Sequence, residues 1–564
     1  MSHSNYYNTM IMKTIKITSI LFCGMLSLAS CSDFFDVVPH DALTPATFWK
    51  SESDAEQGLT ACYYNWVDQN RGSSLCFYED VESDIGFNYT HTGNYSYIAE
   101  GTTNASNAVN YYKYDAIHSV NVFLSHIDEV PFTEKAKKKD FIAQARVIRA
   151  YNYYRLCWLY GGVPLITKPL ETAEEAQLPR SPEDKVKKFV IDELEAAIPD
   201  LQKKAKARGR IDQGTALAIE MRVQLYWGNY AEARKLARKI VALGQYSLDP
   251  NFLQMFTIAG QGSPEIIYAY QHVKTTSNYS DMIRFPNNAD GGWASWVPTQ
   301  NLVDMFEMKN GLMPNESGSG YDSKHPYVNR DPRLKNTVVY PGEDWVQQDG
   351  TIRIVNTVDK FINGKTNTDY YLAADNASKT GLIFAKYTTP LNQYTTAYSN
   401  DNTCPIYFRY AEVLLTIAEC DTELNDNLSE ALNLIDQLRL RGGQIKVDRS
   451  HYQTQQQIRT LVRRERTIEL AGEGFRRADI LRWKDENGKI LANDVMTDLY
   501  RAIGTINYDE PDPDKRFIQT IPTDANKADR FVQSRTFKDF QRYLPIPQDQ
   551  IDRNPNLTQT QGYE

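Results

Sequence analysis

Two helical hairpins with the same residue pattern recur in this 564-residue chain, and this repetition limits the folds that it can adopt. The spacing predicts helices over 216–227 and 230–240 in the first hairpin, and over 410–423 and 428–438 in the second. The second helix of each carries one alanine and two aliphatic residues at matching positions: Ala233, Leu236 and Ile240, and Ala431, Leu434 and Leu438. Alanine lets paired helices approach and the aliphatic side chains fill the seam, so we predict a mainly α fold of stacked helix pairs.

The turn of the first hairpin, Leu225–Tyr230, resembles that of a tetratricopeptide repeat. A helical periodicity is also present before this hairpin, and it predicts a helix with one apolar face that ends at Gly161-Gly162-Val163-Pro164. That face is formed by Ala143, Val147, Ala150, Tyr154 and Trp158. Residues 248–404 lose the period and are rich in Gly, Asn, Asp, Thr and Tyr. We therefore predict an α-α superhelix of tetratricopeptide-like helix pairs with a loop-rich, ligand-binding half.

The same changes of pattern divide the chain into segments. We predict helical repeats over 115–247 and 405–483, separated by the loop-rich insert 248–404. Residues 31–114 form an N-terminal leader with aromatic loops, and residues 484–564 are mostly loop.

The first 30 residues have the properties of a targeting segment. They contain Lys13, Lys16 and no acidic residue, and an apolar run follows from Ile17 to Leu28. This run is too short for a bilayer core, which needs about 20 residues, but has the length of a signal-peptide apolar region. We predict that 1–30 is a lipoprotein signal peptide, with translation starting at Met1 or Met12.

Leu28-Ala29-Ser30-Cys31 resembles a bacterial lipobox, which implies cleavage before Cys31 and acylation of its thiol. The alternative is an ordinary signal peptide followed by a chance cysteine. Two or more acyl chains anchor a protein stably, and no later run reaches 18 apolar residues. We therefore predict that the mature protein, 31–564, is attached to the outer-membrane lipid through Cys31.

Charge and cysteine usage exclude other classes of protein. Lys and Arg number 62 against 71 Asp and Glu, a net charge of −9, whereas a nucleic-acid binder needs a basic face. Beyond Cys31, five cysteines stand at wide spacing, which is not a disulfide framework, and no C-x-x-C pair is present to bind zinc. We predict no nucleic-acid partner, no metal and no cofactor.

Motifs along nearly the whole chain resemble the SusD/RagB family of nutrient-uptake outer-membrane lipoproteins. They begin with the lipobox and Ser32-Asp33-Phe34, and continue through Thr47-Phe48-Trp49, Arg149-Ala150-Tyr151, Tyr160–Leu165, Pro298-Thr299, Leu302–Phe306, Arg409–Leu415 with Ala418-Glu419, Arg464–Arg476, Asp479–Trp483, Leu544–Pro547 and Asn554–Gln559. Departures are small: the family usually has a large residue at Gly472 and Asn at Thr560.

The resemblance implies a superhelix of about four tetratricopeptide-like pairs and a role without catalysis. It implies a cell-surface lipoprotein that captures oligosaccharide and covers a TonB-dependent transporter of the SusC type. Some members of the family bind peptide, so a peptide-binding lipoprotein is the alternative. A secreted hydrolase is a third hypothesis, which lacks any nucleophile or metal motif in this sequence.

Loop aromatic residues are the candidate ligand contacts. Five of them lie among Asn, Thr and Gly in the 86–107 and 285–300 loops: Tyr89, Tyr95, Tyr97, Trp293 and Trp296. A flat ring stacks on the C–H face of a sugar while polar neighbours bind its hydroxyl rim. We predict a shallow site built from both loops, although each tryptophan could instead belong to the core.

The predicted helix over 454–483 carries Glu465, Glu469 and Glu473 at four-residue intervals. Such carboxylates could perform acid–base chemistry. Four arginines surround them, which favours a structural lattice of ion pairs: Arg464, Arg466, Arg476 and Arg477. A cluster of acids at Asp509, Glu510, Asp512 and Asp514 could attract Ca²⁺, but the interleaved prolines favour a solvated loop.

Overall fold

The computed structural model describes residues 48–64, 66–67, 79–89, 94–276, 281–373, 376–394, 398 and 402–564. The predicted signal peptide and Cys31 lie outside the described residues.

Helices dominate the described chain, which confirms the predicted fold class. They are α1 Glu52–Cys62, α2 Tyr95–Glu100, α3 Asp115–His126, α4 Lys135–Tyr160, α5 Glu183–Ala197, α6 Gln213–Tyr226, α7 Tyr230–Ala242, α8 Gln300–Asp304, α9 Arg333–Thr337, α10 Tyr410–Glu423, α11 Leu428–Arg441, α12 Gln455–Leu470, α13 Arg476–Arg482, α14 Ala492–Val495, α15 Pro513–Arg516, α16 Lys527–Arg530 and α17 Gln548–Arg553.

The strands are short and pair two by two, so the described chain has no extended sheet. They are β1 Gly86–Asn88, β2 Ile266–Ala269, β3 Trp296–Pro298, β4 Val338–Val339, β5 Asp344–Val346, β6 Ile352–Ile354, β7 Phe361–Ile362, β8 Lys365–Thr366, β9 Ile383–Phe384, β10 Ile406–Arg409, β11 Leu499–Tyr500, β12 Gly504–Ile506, β13 Phe517–Gln519 and β14 Phe531–Gln533. The antiparallel pairs are β1–β3, β2–β10, β4–β9, β5–β6, β7–β8, β11–β14 and β12–β13.

Helix pairs stack side by side to form the core. The two predicted hairpins are α6–α7 and α10–α11, and α7 packs directly against α10, so sequences far apart in the chain become neighbours. On one side α4 packs against α3 and α5, and on the other α12 packs against α10 and α11. The predicted apolar face of α4 is buried throughout. Its helix ends at Tyr160, where Gly161 adopts a φ of +74°, a left-handed region that favours glycine.

Two predicted helical segments differ from the structure. Residues 406–409 form strand β10, which pairs with β2 before α10 begins. The predicted helix over 454–483 is broken between α12 and α13, where Gly472 and Gly474 have φ values of +78° and +81°. This backbone leaves the helical region because both positions hold glycine, and it releases amide groups that bind elsewhere in the molecule.

Candidate ligand-binding site

Strands β1 and β3 bring the two predicted aromatic loops together. Gly86 pairs with Pro298 and Asn88 with Trp296, and the backbone N–H of Tyr89 donates to the carbonyl of Ser295 at 3.0 Å. The loops predicted over 86–107 and 285–300 are therefore adjacent. The sequence predicted no helix in the first of these loops, but residues 95–100 form the short helix α2.

The five predicted aromatic residues have different environments. Tyr95 is 4% exposed and Trp296 is 1% exposed, so protein covers the faces of both rings. Trp296 packs edge-on against Phe285, with ring centroids 5.5 Å apart. Tyr89 and Tyr97 are half-buried. Trp293 is 40% exposed, the largest value for any of the five, and is the ring that an external ligand can most readily reach.

Backbone hydrogen bonds hold the loop that carries Trp293. The N–H of Trp293 donates to the carbonyl of Ile283 at 2.7 Å, and the N–H of Ala294 donates to that of Pro286 at 2.8 Å. A Cβ at Gly292 would lie 2.2 Å from the Pro286 carbonyl oxygen, so only glycine fits there. The guanidinium of Arg284 lies 5.4 Å from the Trp293 ring and 5.0 Å from the Trp296 ring. The exposed indole is thus supported on a defined loop.

Ion pairs fix the base of the same loop. Arg353 bridges the buried carboxylates of Asp290 and Asp369, and the Asp369 carboxylate accepts the N–H of Ala289 at 2.8 Å. The hydroxyl of Tyr398 donates to the carbonyl of Asp290 at 2.8 Å. These contacts tie residues 289–290 to three other positions of the loop-rich half.

A cleft of about 420 Å³ lies beside the β1–β3 pair. It is lined by residues from four separate stretches of chain, including Asn88, Tyr89, Ser96, Lys379, Arg501 and Gln533. The ammonium of Lys379 lies 4.5 Å from the Tyr89 ring, so one face of that ring is occupied by a cation. Sequence reasoning found Tyr89 but missed Lys379, Arg501 and Gln533, because no local pattern signals that these distant segments converge.

Two polar side chains of this cleft are buried without a partner. Within the described residues, neither the amide oxygen nor the amide nitrogen of Asn88 forms a hydrogen bond. The hydroxyl of Ser96 is in the same situation. An unsatisfied buried polar group costs about 1–3 kcal/mol, so a hydrogen-bonding partner at either side chain would be stabilising.

The carboxylates of the C-terminal third form an ion-pair lattice, but not with the four arginines that the sequence suggested. Those four pair with other acids: Arg464 with Glu307, Arg466 with Asp479, Arg476 with Asp84 and Arg477 with Glu82. Arg409 bonds Glu265, Glu469 and Glu473, each at 2.6–2.7 Å, and all four side chains are buried. The sequence predicted that Glu473 lies on the same helix face as Glu465 and Glu469. In the structure, Glu473 lies beyond the end of α12. A second group joins Glu465 to Arg333 at 2.7 Å and to Arg439 at 2.6 Å.

The lattice keeps its carboxyl groups ionised. Burial alone would raise the pKa of Glu465, but Arg333 and Arg439 outweigh it and hold the pKa at about 2. Burial is likewise outweighed at Glu469, where Arg441 and Arg409 lower the pKa. Each of these groups is committed to a buried arginine, which supports the structural interpretation over an acid–base site.

The acidic loop at 509–514 is used internally. Asp514 pairs with Lys335 at 2.6 Å and accepts the Tyr340 hydroxyl at 2.8 Å, while Asp512 accepts the N–H of Asp514 at 3.1 Å. Throughout the part of the chain that the structure describes, no group of three or more His, Cys, Asp and Glu side chains is arranged to hold a metal ion.

Sequence and structure comparisons identify the family. The profile of the SusD family matches residues 264–563, which is more than half of the chain. The chain belongs to the SusD family. A second profile, described as starch-binding associating with outer membrane, matches residues 33–225. The family resemblance found in the sequence motifs is thereby confirmed.

Individual relatives are similar to this protein over most of its length. A SusD-like protein of Formosa agariphila is 26% identical over 521 residues, which covers 87% of this chain and 94% of the relative. The crystal structure of a SusD-like carbohydrate-binding protein from Bacteroides fragilis is 27% identical, with a TM-score of 0.77, and covers 91% of this chain and 100% of that one. A laminarin-binding SusD-like protein has the same fold, at 20% identity and a TM-score of 0.66, with 91% and 100% coverage.

Proposed function

We propose that this protein is a cell-surface lipoprotein that captures oligosaccharide and delivers it to a TonB-dependent transporter of the SusC type. Membership of the SusD family supports this role, as does the similarity to a SusD-like carbohydrate-binding protein. The lipobox at Cys31 supports attachment to the outer membrane by lipid. No helix of the described residues has the length and apolar character needed to cross a bilayer.

The exposed ring of Trp293 carries the proposal for binding. An indole fixed by backbone hydrogen bonds loses little conformational freedom when a sugar stacks on it. Tyr89, which follows β1, and Tyr97, on the short helix α2, are the second candidate contacts. Several weak contacts add along a chain of sugars, so the site should prefer oligosaccharides to monosaccharides. The proposed role is binding without cleavage, because capture precedes import.

Calorimetry on the soluble protein lacking residues 1–31 tests this proposal, after a glycan array has identified an oligosaccharide that binds. Trp293→Ala should weaken binding at least about tenfold, equivalent to about 1.4 kcal/mol, through loss of the stacking surface. Trp227→Ala is the matched control, because Trp227 is a partly exposed tryptophan at the turn between α6 and α7. It should bind like the parent.

Two results would contradict this assignment. Unchanged affinity of Trp293→Ala would make Trp293 a bystander and leave the site elsewhere. Saturable binding of peptides, with no oligosaccharide bound, would favour the peptide-binding alternative of the same fold.

A further inference from the structure

One buried arginine lines the cleft beside β1 and a second lies behind its lining, and neither forms an ion pair with a described carboxylate. Arg501 is 6% exposed and donates to the backbone carbonyls of Lys379, at 2.7 Å, and of Asp529 and Phe531. Arg535 is 4% exposed and donates to the carbonyls of Ser83 and Gly86 and to the side-chain oxygen of Gln533. Neither guanidinium forms an ion pair with any described residue.

This arrangement contrasts with the arginines of the core lattice. At Arg409 the surrounding carboxylates outweigh burial and raise the pKa well above its ordinary value. At Arg501 burial lowers the pKa, and at Arg535 burial lowers it to about 9. Carbonyl oxygens satisfy the N–H groups of these two arginines but do not cancel their charge. The cleft wall is therefore a region of positive potential.

Nearby carboxylates oppose this effect in part: Asp529 acts on Arg501, and Asp84 and Glu100 act on Arg535, but burial outweighs them and both pKa values are lowered. Lys379 lines the cleft, with its ammonium over the Tyr89 ring and 2.8 Å from the carbonyl oxygen of Ala373. Among the described residues of the lining, Glu100 is the one acid, and it accepts a hydrogen bond from Gln533 at 2.7 Å. The described part of the lining thus holds two cations and one acid, and Arg535 donates to Gln533 from behind it.

The unpartnered groups of Asn88 and Ser96 add directional contacts to this charge. Asn88 offers an amide donor and an acceptor, and Ser96 offers a hydroxyl. Sugar hydroxyls both donate and accept, so they complement these groups. A simple carboxylate would complement the cations but would leave the Asn88 amide oxygen without a donor.

We propose that this cleft is a subsite for an acidic sugar unit, whose carboxylate or sulfate lies near Lys379 while its hydroxyls bind Asn88 and Ser96. This inference rests on the proposed glycan-binding function and specifies the ligand's chemistry. A carboxylated sugar and a sulfated sugar share one negative charge on a pyranose-sized unit, and a cleft of about 420 Å³ can hold such a unit. Trp293 would then stack on a neighbouring unit of the same chain.

The test is a glycan array of matched pairs: uronic-acid oligosaccharides with their neutral methyl esters, and sulfated oligosaccharides with their desulfated forms. The parent protein should bind the acidic member of a pair at least about tenfold more tightly than its neutral match. The pair that responds distinguishes a carboxylate from a sulfate. Calorimetry on that pair should show that affinity for the acidic member falls as salt is raised, because added ions screen the attraction.

Lys379→Met retains an unbranched aliphatic side chain and removes the charge, so it should weaken binding of the acidic member about tenfold more than binding of the neutral member. Lys365→Met is the matched control, because it makes the same charge change at an exposed residue of β8 and should leave the preference intact. Ser96→Ala should weaken both members of the pair. Melting temperatures confirm that each variant folds.

The outcomes separate this inference from the proposed function. If neutral oligosaccharides bind in a Trp293-dependent manner and no acidic preference exists, the acidic subsite is wrong and the glycan-binding role stands. If Lys379→Met keeps the parent's preference, the charge acts elsewhere and the assignment of this cleft is wrong. If no glycan binds, both proposals fail.

Discussion

Individual charged residues in this protein divide into two classes with opposite consequences. Lattice arginines such as Arg409 are matched by carboxylates, so their burial is offset by ion pairs. Arginines beside the β1–β3 cleft are matched by carbonyl oxygens, so their charge extends into the cleft. Burial alone does not separate these classes; the identity of the hydrogen-bond acceptor does.

Glu469→Ala tests the lattice. Breaking a buried ion pair costs about 3–5 kcal/mol, and we expect the lower end because Arg409 and Arg441 keep Glu265 as a partner. Arg441 and Arg409 depress the folded-state pKa against the effect of burial, so the stabilisation is complete above the ordinary value of 4.5 and is lost as pH falls through the lower folded value. Chemical denaturation at pH 7 and in acid should show a difference from the parent that shrinks in acid.

Glu174→Ala is the control for this experiment, since Glu174 is exposed, and it should be within about 0.5 kcal/mol of the parent. Glycan affinity measured below the melting transition should be unchanged in Glu469→Ala. Full stability of Glu469→Ala combined with lost binding would contradict a structural role.

The aromatic residues show what the sequence predicts about individual side chains and what it does not. From the aromatic rings among Asn, Thr and Gly we predict a site formed by two loops. In the structure, these loops are adjacent because β1 pairs with β3. The sequence pattern does not separate exposed Trp293 from buried Trp296, because a three-residue strand is too short to give an alternating signal. Asn88 and Ser96 carry no distinguishing signal either, since their missing partners are a property of tertiary packing.

Among the elements, the helical hairpins were predictable and the break after α12 was not. Repeated alanine and aliphatic positions give α6–α7 and α10–α11 directly. The break depends on Asp80, whose buried carboxylate accepts the N–H groups of Gly472, Glu473, Gly474 and Arg476 at 2.7–3.1 Å. Nearly 400 residues separate these partners in sequence, so no local pattern reveals the contact.

Asp80→Ala tests this connection between elements. Four N–H groups, three of them buried, lose their acceptor, and we expect about 3–5 kcal/mol of destabilisation after partial relief by water. Residues 79–89 end at Asn88 and Tyr89, so their amide hydrogens should exchange faster and glycan affinity should fall. Hydrogen exchange by mass spectrometry measures the first effect and calorimetry the second.

Asp509→Ala, at an exposed aspartate, is the matched substitution and should change neither quantity. Unaltered exchange over 79–89 in Asp80→Ala would show that the segment is held by other contacts, such as the Arg476–Asp84 ion pair at 2.8 Å.

In the whole molecule, a stacked helical half supports a half built from loops and two-stranded pairs. The first is encoded by short-range periodicity, and so the superhelix was predictable in outline from the sequence. The second depends on pairings between distant segments, such as β2 with β10 and β11 with β14, for which the sequence gives composition but no register. The candidate ligand contacts all lie in this second half, which is why the loops could be named in advance and the cleft could not.

Cys31→Ala tests how the whole molecule is held at the membrane. Each buried CH₂ of an acyl chain contributes about 0.8 kcal/mol, so two or more chains anchor a protein that has no other membrane attachment. The variant should fold and bind glycan like the parent, because the core is built by residues of 48–564. It should be recovered in the soluble fraction of cells that lack the transporter partner, where no protein contact can retain it. Cys157→Ala, at a buried cysteine of α4, should stay with the membrane fraction. Recovery of Cys31→Ala in the membrane fraction of those cells would show that Cys31 is not the anchor.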